Sequence, residues 1–306
     1  MKNNKRIHFF KAYSRLGMIN IPWGEKQLNI GVEYGPDAVL SEKFVSSFHP
    51  RPKITKYKFP LPEDINKLDY EQVLYQSFKE FDELINKNLK INEIQVVIGG
   101  DHSVAFASVL AVLKRVKPDH VGYIQFDSHA DLCTFTRSPS KNFHGMVARA
   151  LLDNKFDSTL LNSLLNEKLL PTNTLYIGNL DIVKEEKDFL DDKKIQIIDH
   201  SSILNNINSI KSRLKNFISH FDHVHISFDI DVFDKSIIKA TGTPSKFGLL
   251  KKEIYPLLLV LAEHKNISID LVEVNPKKGV HDTTIKTARN VLAKLLSKFI
   301  CERPES

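Results

Sequence analysis

Short apolar runs alternate along the chain with longer stretches in which apolar residues recur every three or four positions. The runs at 7–10, 54–59, 94–98, 121–126, 174–177, 195–198, 224–228 and 267–272 read as strands, being brief and bounded by turn-forming residues. Residues 70–85 place Val73, Leu74, Phe78, Phe81 and Leu84 on one helical face, and 104–115, 146–152, 202–220, 251–264 and 283–299 follow the same rule. Strands that alternate with helices pair in parallel and are covered on both faces. The expected class is therefore α/β. With no long linker, internal repeat or low-complexity tract, residues 1–306 are expected to form a single domain.

In such sheets ligands bind beyond the carboxyl ends of the strands, and polar residues gather where this rule points. Gly99-Gly-Asp-His-Ser103 follows the run ending at Ile98. Asp127, His129 and Asp131 follow the run ending at Phe126, spaced i, i+2 and i+4. Alternate residues of an extended segment point the same way, so two carboxylates and an imidazole leave one strand end together. Ser227-Phe-Asp-Ile-Asp231 repeats the arrangement, and Glu273 follows Val272. Read singly, these are a strand-to-helix turn, a capping aspartate and surface polarity. Read together, His102, Asp127, His129, Asp131, Asp229 and Asp231 are a ligand set. Four carboxylates match the charge of two divalent cations. Oxygen and nitrogen donors without thiolate suit Mn, Fe, Co, Ni or Zn. His223 and His225 share parity with Asp229 but lie near the start of their strand, and they read as structural.

The composition narrows the class. Of the 306 residues, 42% are hydrophobic and 26% charged, ordinary for a globular protein. The net charge of +6 is spread over single or paired lysines, which reads as a solvated surface and not as a nucleic-acid interface. Two cysteines, Cys133 and Cys301, are too few for a disulfide framework. No apolar run has the length of a signal peptide or a membrane span, so a cytoplasmic enzyme without membrane association is expected.

Several segments in order resemble the ureohydrolases, the superfamily of arginase, agmatinase and formiminoglutamase. They are Gly31-Val-Glu-Tyr-Gly-Pro36, Gly99-Gly-Asp-His-Ser103, Asp127-Ser-His-Ala-Asp131, His144-Gly-Met146, Ser227-Phe-Asp-Ile-Asp231, Thr241-Gly-Thr-Pro244 and Glu273-Val-Asn-Pro276. The resemblance implies a three-layer α/β/α sandwich on a mainly parallel eight-stranded sheet, with two Mn(2+) ions per chain. It implies that His102, Asp127, Asp131 and Asp229 hold one ion, and that Asp127, His129, Asp229 and Asp231 hold the other. A water activated between the cations then attacks the guanidinium carbon and urea leaves. His144 matches the proton shuttle, a task suited to imidazole. Glu273 matches the carboxylate that pairs with the guanidinium. A trimer or hexamer is implied by the same resemblance.

The loop from Asp131 to His144 has the length found in arginases. Ser140 and Asn142 fall on positions that hold the substrate's carboxylate and amine. Asp181 matches an acidic reader of the amine, and Thr243 a threonine near the centre. L-arginine is therefore the expected small-molecule guanidino substrate, cleaved to ornithine and urea, with agmatine or another guanidino acid as the alternative. Three positions depart from the pattern: Cys133 stands where asparagine is typical, Leu180 replaces a common arginine, and Val232 replaces glycine. A thiol is a poor hydrogen-bonding substitute for an amide. Two rival readings keep the metal cluster but change its use: a catalytically silent metal-binding protein and a dinuclear phosphoesterase. The latter would be expected to carry Gly-Asn-His-Asp or Gly-His-x-His, neither of which occurs.

Overall fold

The computed structural model of the protein describes residues 5–18, 29–60, 67–178, 180–245, 247–279 and 281–300. Its strands are β1 (Arg6–Tyr13), β2 (Lys53–Lys58), β3 (Glu93–Gly99), β4 (Val121–Phe126), β5 (Thr174–Ile177), β6 (Gln196–Ile198), β7 (His223–Asp229) and β8 (Ile267–Val272). All eight expected runs are thus strands, in one sheet ordered β2-β1-β3-β8-β7-β4-β5-β6. Every neighbouring pair is parallel, so the sheet is wholly and not just mainly parallel.

Among the described residues the α-helices are α1 (Gly35–Val39), α2 (Glu42–Val45), α3 (Lys67–Asn88), α4 (Val104–Leu113), α5 (Val147–Leu152), α6 (Thr159–Asn162), α7 (Lys184–Lys193), α8 (His200–Asn205), α9 (Ile207–Ile218), α10 (Lys251–Ala262) and α11 (His281–Leu295). The stretch expected as one helix over 202–220 is two, α8 and α9. Asn206 breaks it with non-helical backbone (φ −164°, ψ 87°), and its side chain accepts a hydrogen bond from Ser209 N at 3.0 Å. Helix α7 was not legible, because only Glu186, Phe189 and Leu190 of its ten residues are buried. Glu186 closes its first turn by accepting from Val183 N at 3.1 Å.

Strand parity divides the sheet into two faces. Phe9, Val96, Ile98, Ile124, Phe126, Ile226, Phe228, Ile269 and Leu271 pack into one core with α1, α9, α10 and α11. Phe10, Val97, Tyr123 and Val272 face the other core, with α3, α4, α5 and α7. The result is a three-layer α/β/α arrangement. The second face also carries buried polar groups on its central strands: Gln125 on β4, His225 and Ser227 on β7, Ser268 and Asp270 on β8.

Register brings the strand ends level. Phe126 pairs with Phe228, and Asp229 with Val272, so Asp127, Asp229 and Glu273 emerge side by side. β3, β8, β7 and β4 are consecutive in the sheet, and they are the four strands that carry the candidate residues. Gly178, just past β5, lets the next chain segment come close: a Cβ there would lie 1.8 Å from the backbone oxygen of Asp127. Gly178→Ala must push the Asp127 turn aside. The expected cost is about 1–3 kcal/mol, read as a lowered melting temperature, together with weaker metal retention.

Candidate metal centre and active site

Three elements converge on one point. His102 lies at the entrance to α4, Asp127, His129 and Asp131 in the loop after β4, and Asp229 and Asp231 at the end of β7. Ligand atoms of His102, Asp127 and Asp131 lie within 4.8 Å of one another, as do those of Asp127, His129 and Asp231. Asp127 belongs to both groups. His102 Nδ1 is 2.8 Å from Asp131 Oδ2, 3.3 Å from Asp127 Oδ2 and 3.5 Å from Asp229 Oδ2. His129 Nδ1 is 3.1 Å from Asp231 Oδ2 and 3.6 Å from Asp127 Oδ1. All six expected ligands are therefore brought together.

The local backbone is shaped for this. Asp127 and Asp229 each turn one oxygen back onto the amide two residues on, His129 N and Asp231 N, both at 2.8 Å. The opposite oxygens then face the cluster. Asp131 adopts left-handed backbone (φ 53°), a conformation that aspartate tolerates better than most residues. Ser128 anchors the loop by donating from Oγ to Asp231 O at 2.8 Å. Glu186 of α7 accepts from Leu132 N at 3.0 Å, so the unforeseen helix holds the loop from outside.

The electrostatics of the cluster are those of a cation site. Burial, with repulsion from Asp231 and Asp127, pushes the Asp229 carboxyl far above its ordinary range. Burial and Asp127 push Asp131 up to about 7. Burial also raises Asp231. Burial would raise Asp127 as well, but the adjacent His102 and His129 rings hold it low. Two buried atoms, His102 Nδ1 and Asp131 Oδ2, lack any hydrogen-bond partner although they are only 2.8 Å apart. Lone pairs aimed at a common point rather than at a proton fit a metal ion. Oxygen and imidazole donors without thiolate fit a divalent first-row metal.

Glu273 sits beside the cluster with left-handed backbone (φ 64°). Its Oε1 accepts from His102 N at 2.9 Å, and its Oε2 from Asn29 Nδ2 at 2.7 Å. Burial, then repulsion from Asp101, pushes its carboxyl up to about 8. Strain of this kind in a non-glycine residue concentrates at functional sites. Asn29 is a residue that sequence reasoning missed. It is buried, and Asn275 Nδ2 donates to its Oδ1 at 2.7 Å. No periodicity or spacing marks it. Its only signal is its place just before Gly31-Val-Glu-Tyr-Gly-Pro36.

His144 lies half-buried in the 3-10 turn Phe143–Met146. Packing around the ring pushes its pKa down to about 4; Asp101 opposes this, and His129 and His102 reinforce it. A cavity of about 880 Å³ opens beside His129, lined by Asp181 and Thr243 among others. Thr243 Oγ1 donates to Asp231 Oδ2 at 3.2 Å. Leu180, Ile182, Ile197 and Phe247 give this cavity an apolar wall, and Asp199 adds a second carboxylate. Cys133, Ser140 and Asn142 do not line it. Ser140 Oγ instead accepts from Asn142 N at 3.3 Å and lies 3.4 Å from Ser138 Oγ. Cys133 packs against the second core, and burial, with Glu186 and Asp131 nearby, lifts its thiol to about 12. Cys301 lies outside the described residues.

Comparison with known proteins gives a consistent picture. The sequence model of the arginase family matches residues 14–297. Arginase of Staphylococcus aureus (strain COL) is 32% identical over 293 residues, covering 89% of this chain and 94% of that protein. Arginase of Entamoeba histolytica is 28% identical over 297 residues, covering 94% and 98%. Arginase from Bacillus caldovelox superposes with a TM-score of 0.83 at 24% identity, over 95% of this chain and 98% of that one. The agmatine ureohydrolase of Thermoplasma volcanium gives 0.69 at 19% identity, over 97% and 91%. These two structures share the fold. Among the described residues, no helix is long and apolar enough to cross a membrane.

Proposed function

Because the chain belongs to the arginase family, we propose that it hydrolyses the guanidino group of L-arginine to ornithine and urea with two divalent cations, Mn(2+) by preference. The observation that carries this reading is the convergence of the six donors: two close groups share Asp127, and Asp229 Oδ2 lies 3.5 Å from His102 Nδ1. His102, Asp127, Asp131 and Asp229 would hold one ion, and Asp127, His129, Asp229 and Asp231 the other. Cations held there supply the Lewis acidity that makes water a nucleophile near neutral pH.

The chain's own residues perform the remaining tasks. Glu273, whose carboxyl burial pushes up, is drawn toward its carboxylate form by positive charge, and a planar guanidinium fits it as a partner. Asn29 and the His102 amide hold its oxygens in place. His144 is neutral at pH 7 and can first accept a proton, then give it to the departing amine, which cannot leave as an amide anion. Thr243 orients Asp231. Asp181, in the cavity beside His129, is suited to a substrate amine. Asp131 would hold a cation at the start of the loop carrying Cys133, Ser140 and Asn142. We place the protein in the cytoplasm as a single-domain chain that assembles into a trimer or hexamer. Neither nucleic acid nor membrane is among its partners.

A second reading changes the substrate to agmatine or another guanidino compound. It is favoured by the apolar wall of the cavity, which offers a substrate carboxylate no partner. A urea assay of manganese-loaded protein on L-arginine, agmatine and 4-guanidinobutyrate separates the readings. The expected result is that kcat/KM for L-arginine exceeds the others by tenfold or more. Urea from agmatine alone would transfer the assignment, and urea from none would favour a silent metal-binding protein. A parallel screen of phosphate esters is expected to show no turnover.

A further inference from the structure

The polar groups beneath the metal centre form a continuous buried row that the proposed reaction does not use. His102 Nε2 lies 3.0 Å from Ser227 Oγ, and Ser227 Oγ donates to Asp270 Oδ1 at 2.6 Å. On the other side, His225 Nε2 donates to Asp270 Oδ2 at 2.6 Å. Ser227, Asp270 and His225 are fully buried. No lysine or arginine pairs with Asp270 among the described residues; its ionic partner is His225. The His225 ring is itself fixed by stacking on Tyr123, with centroids 5.9 Å apart and planes 3° from parallel.

Resting on the dinuclear reading above, we infer that Asp270 is a positioning residue that sets the orientation of His102 through Ser227. The hydroxyl of Ser227 has one proton, and a carboxylate at 2.6 Å is the strongest acceptor it meets. With that proton committed, Ser227 Oγ can only accept from His102. Nε2 of His102 must therefore carry a hydrogen, and Nδ1 is the atom left to bind a cation. Nδ1 is also the atom that faces Asp127, Asp131 and Asp229. Negative charge delivered through the serine makes that nitrogen a better donor.

The two imidazoles differ in this respect. His129 is 34% exposed at the cavity, whereas His102 is 2% exposed and tied into the row. Asp270 thus acts on the His102 donor and not on the His129 donor, so its removal would weaken one of the two ion sites and spare the other.

Asp270→Asn tests the inference with almost no change in shape. An amide can donate to Ser227, turn its hydroxyl toward His102 and oppose the hydrogen on Nε2. Ser227→Ala removes the relay instead, and either variant suffices if the other fails to fold. The readout is Mn(2+) affinity, measured by chelator competition on the folded metal-free protein. Wild type is expected to bind two ions. Both variants should lose ten- to a hundredfold in affinity for one of the two ions and keep the other unchanged. Two ions bound as in wild type by a folded variant would overturn the role of Asp270. Equal weakening of both ions would overturn it too, since general loosening does not choose between sites. A wild type that binds no manganese would instead remove the dinuclear reading and this inference with it.

Discussion

Asp229→Ala is expected to reduce kcat/KM for the guanidino substrate by a factor of a thousand or more, a loss on the order of 4 kcal/mol. Manganese content should fall below two ions per chain. Asp229 is held back from ionising: burial, then Asp231 and Asp127, raise its pKa far above the ordinary value. The same side chain should therefore weaken the metal-free fold. Its pKa is raised on folding, so the folded state binds the proton more tightly than the unfolded state does. Stability from this group is complete below the unfolded value of about 4 and declines as pH rises above it. Asp229→Asn preserves an acceptor for Asp231 N, the bond seen at 2.8 Å. At pH 8 the metal-free Asn variant should melt at a higher temperature than metal-free wild type, and the gap should close toward pH 4. Adding manganese should reverse the order. A metal-free Asn variant less stable than wild type at pH 8 would refute the account of Asp229 as a buried acid held back from ionising.

Much of this site could be read before any coordinates, for a physical reason. Parallel strands buried on both faces are apolar runs, and the register of β4 against β7 follows from pairing Phe126 with Phe228. Once such strands are located, the residue after each is placed at the carboxyl edge, and Asp127, Asp229 and Glu273 fall there. What could not be read depends on contacts distant in sequence. Asn29 reaches Glu273 across more than two hundred residues, and the Ser227–Asp270 bond joins β7 to β8. Helix α7 was hidden because two apolar side chains in ten residues make no periodic signal. Its stability comes from Glu186, which caps the helix and holds Leu132 N at once. The break at Asn206 is a competition that pattern alone does not settle. An asparagine within an amphipathic stretch can continue the helix or cap the next one, and here it caps. The lining of the cavity beside His129 was legible only in part: Asp181 and Thr243 belong to it, as do the unforeseen Ile197 and Phe247, while Ser140, Asn142 and Cys133 lie outside it.

The second large effect is expected at His144. His144→Ala should lower kcat about a hundred- to ten-thousandfold, the range for a lost general acid-base group. KM and manganese content should change little, because His144 belongs to neither cluster of close donor atoms. That split distinguishes it from Asp229, where metal and activity fall together. The packing that pushes its pKa down to about 4 makes His144 a poor acid at rest but a ready carrier. It takes up a proton only when one is released nearby, and it holds that proton weakly enough to give it to a basic amine. Added imidazole should therefore restore part of the turnover of the alanine variant, since His144 is only half-buried. The restored rate should rise with the concentration of neutral imidazole and fall off as pH drops below about 7, where imidazole becomes charged. Full activity in His144→Ala without imidazole would remove the shuttle role. A proportional loss of manganese would show that the ring supports the metal centre and does not carry the proton.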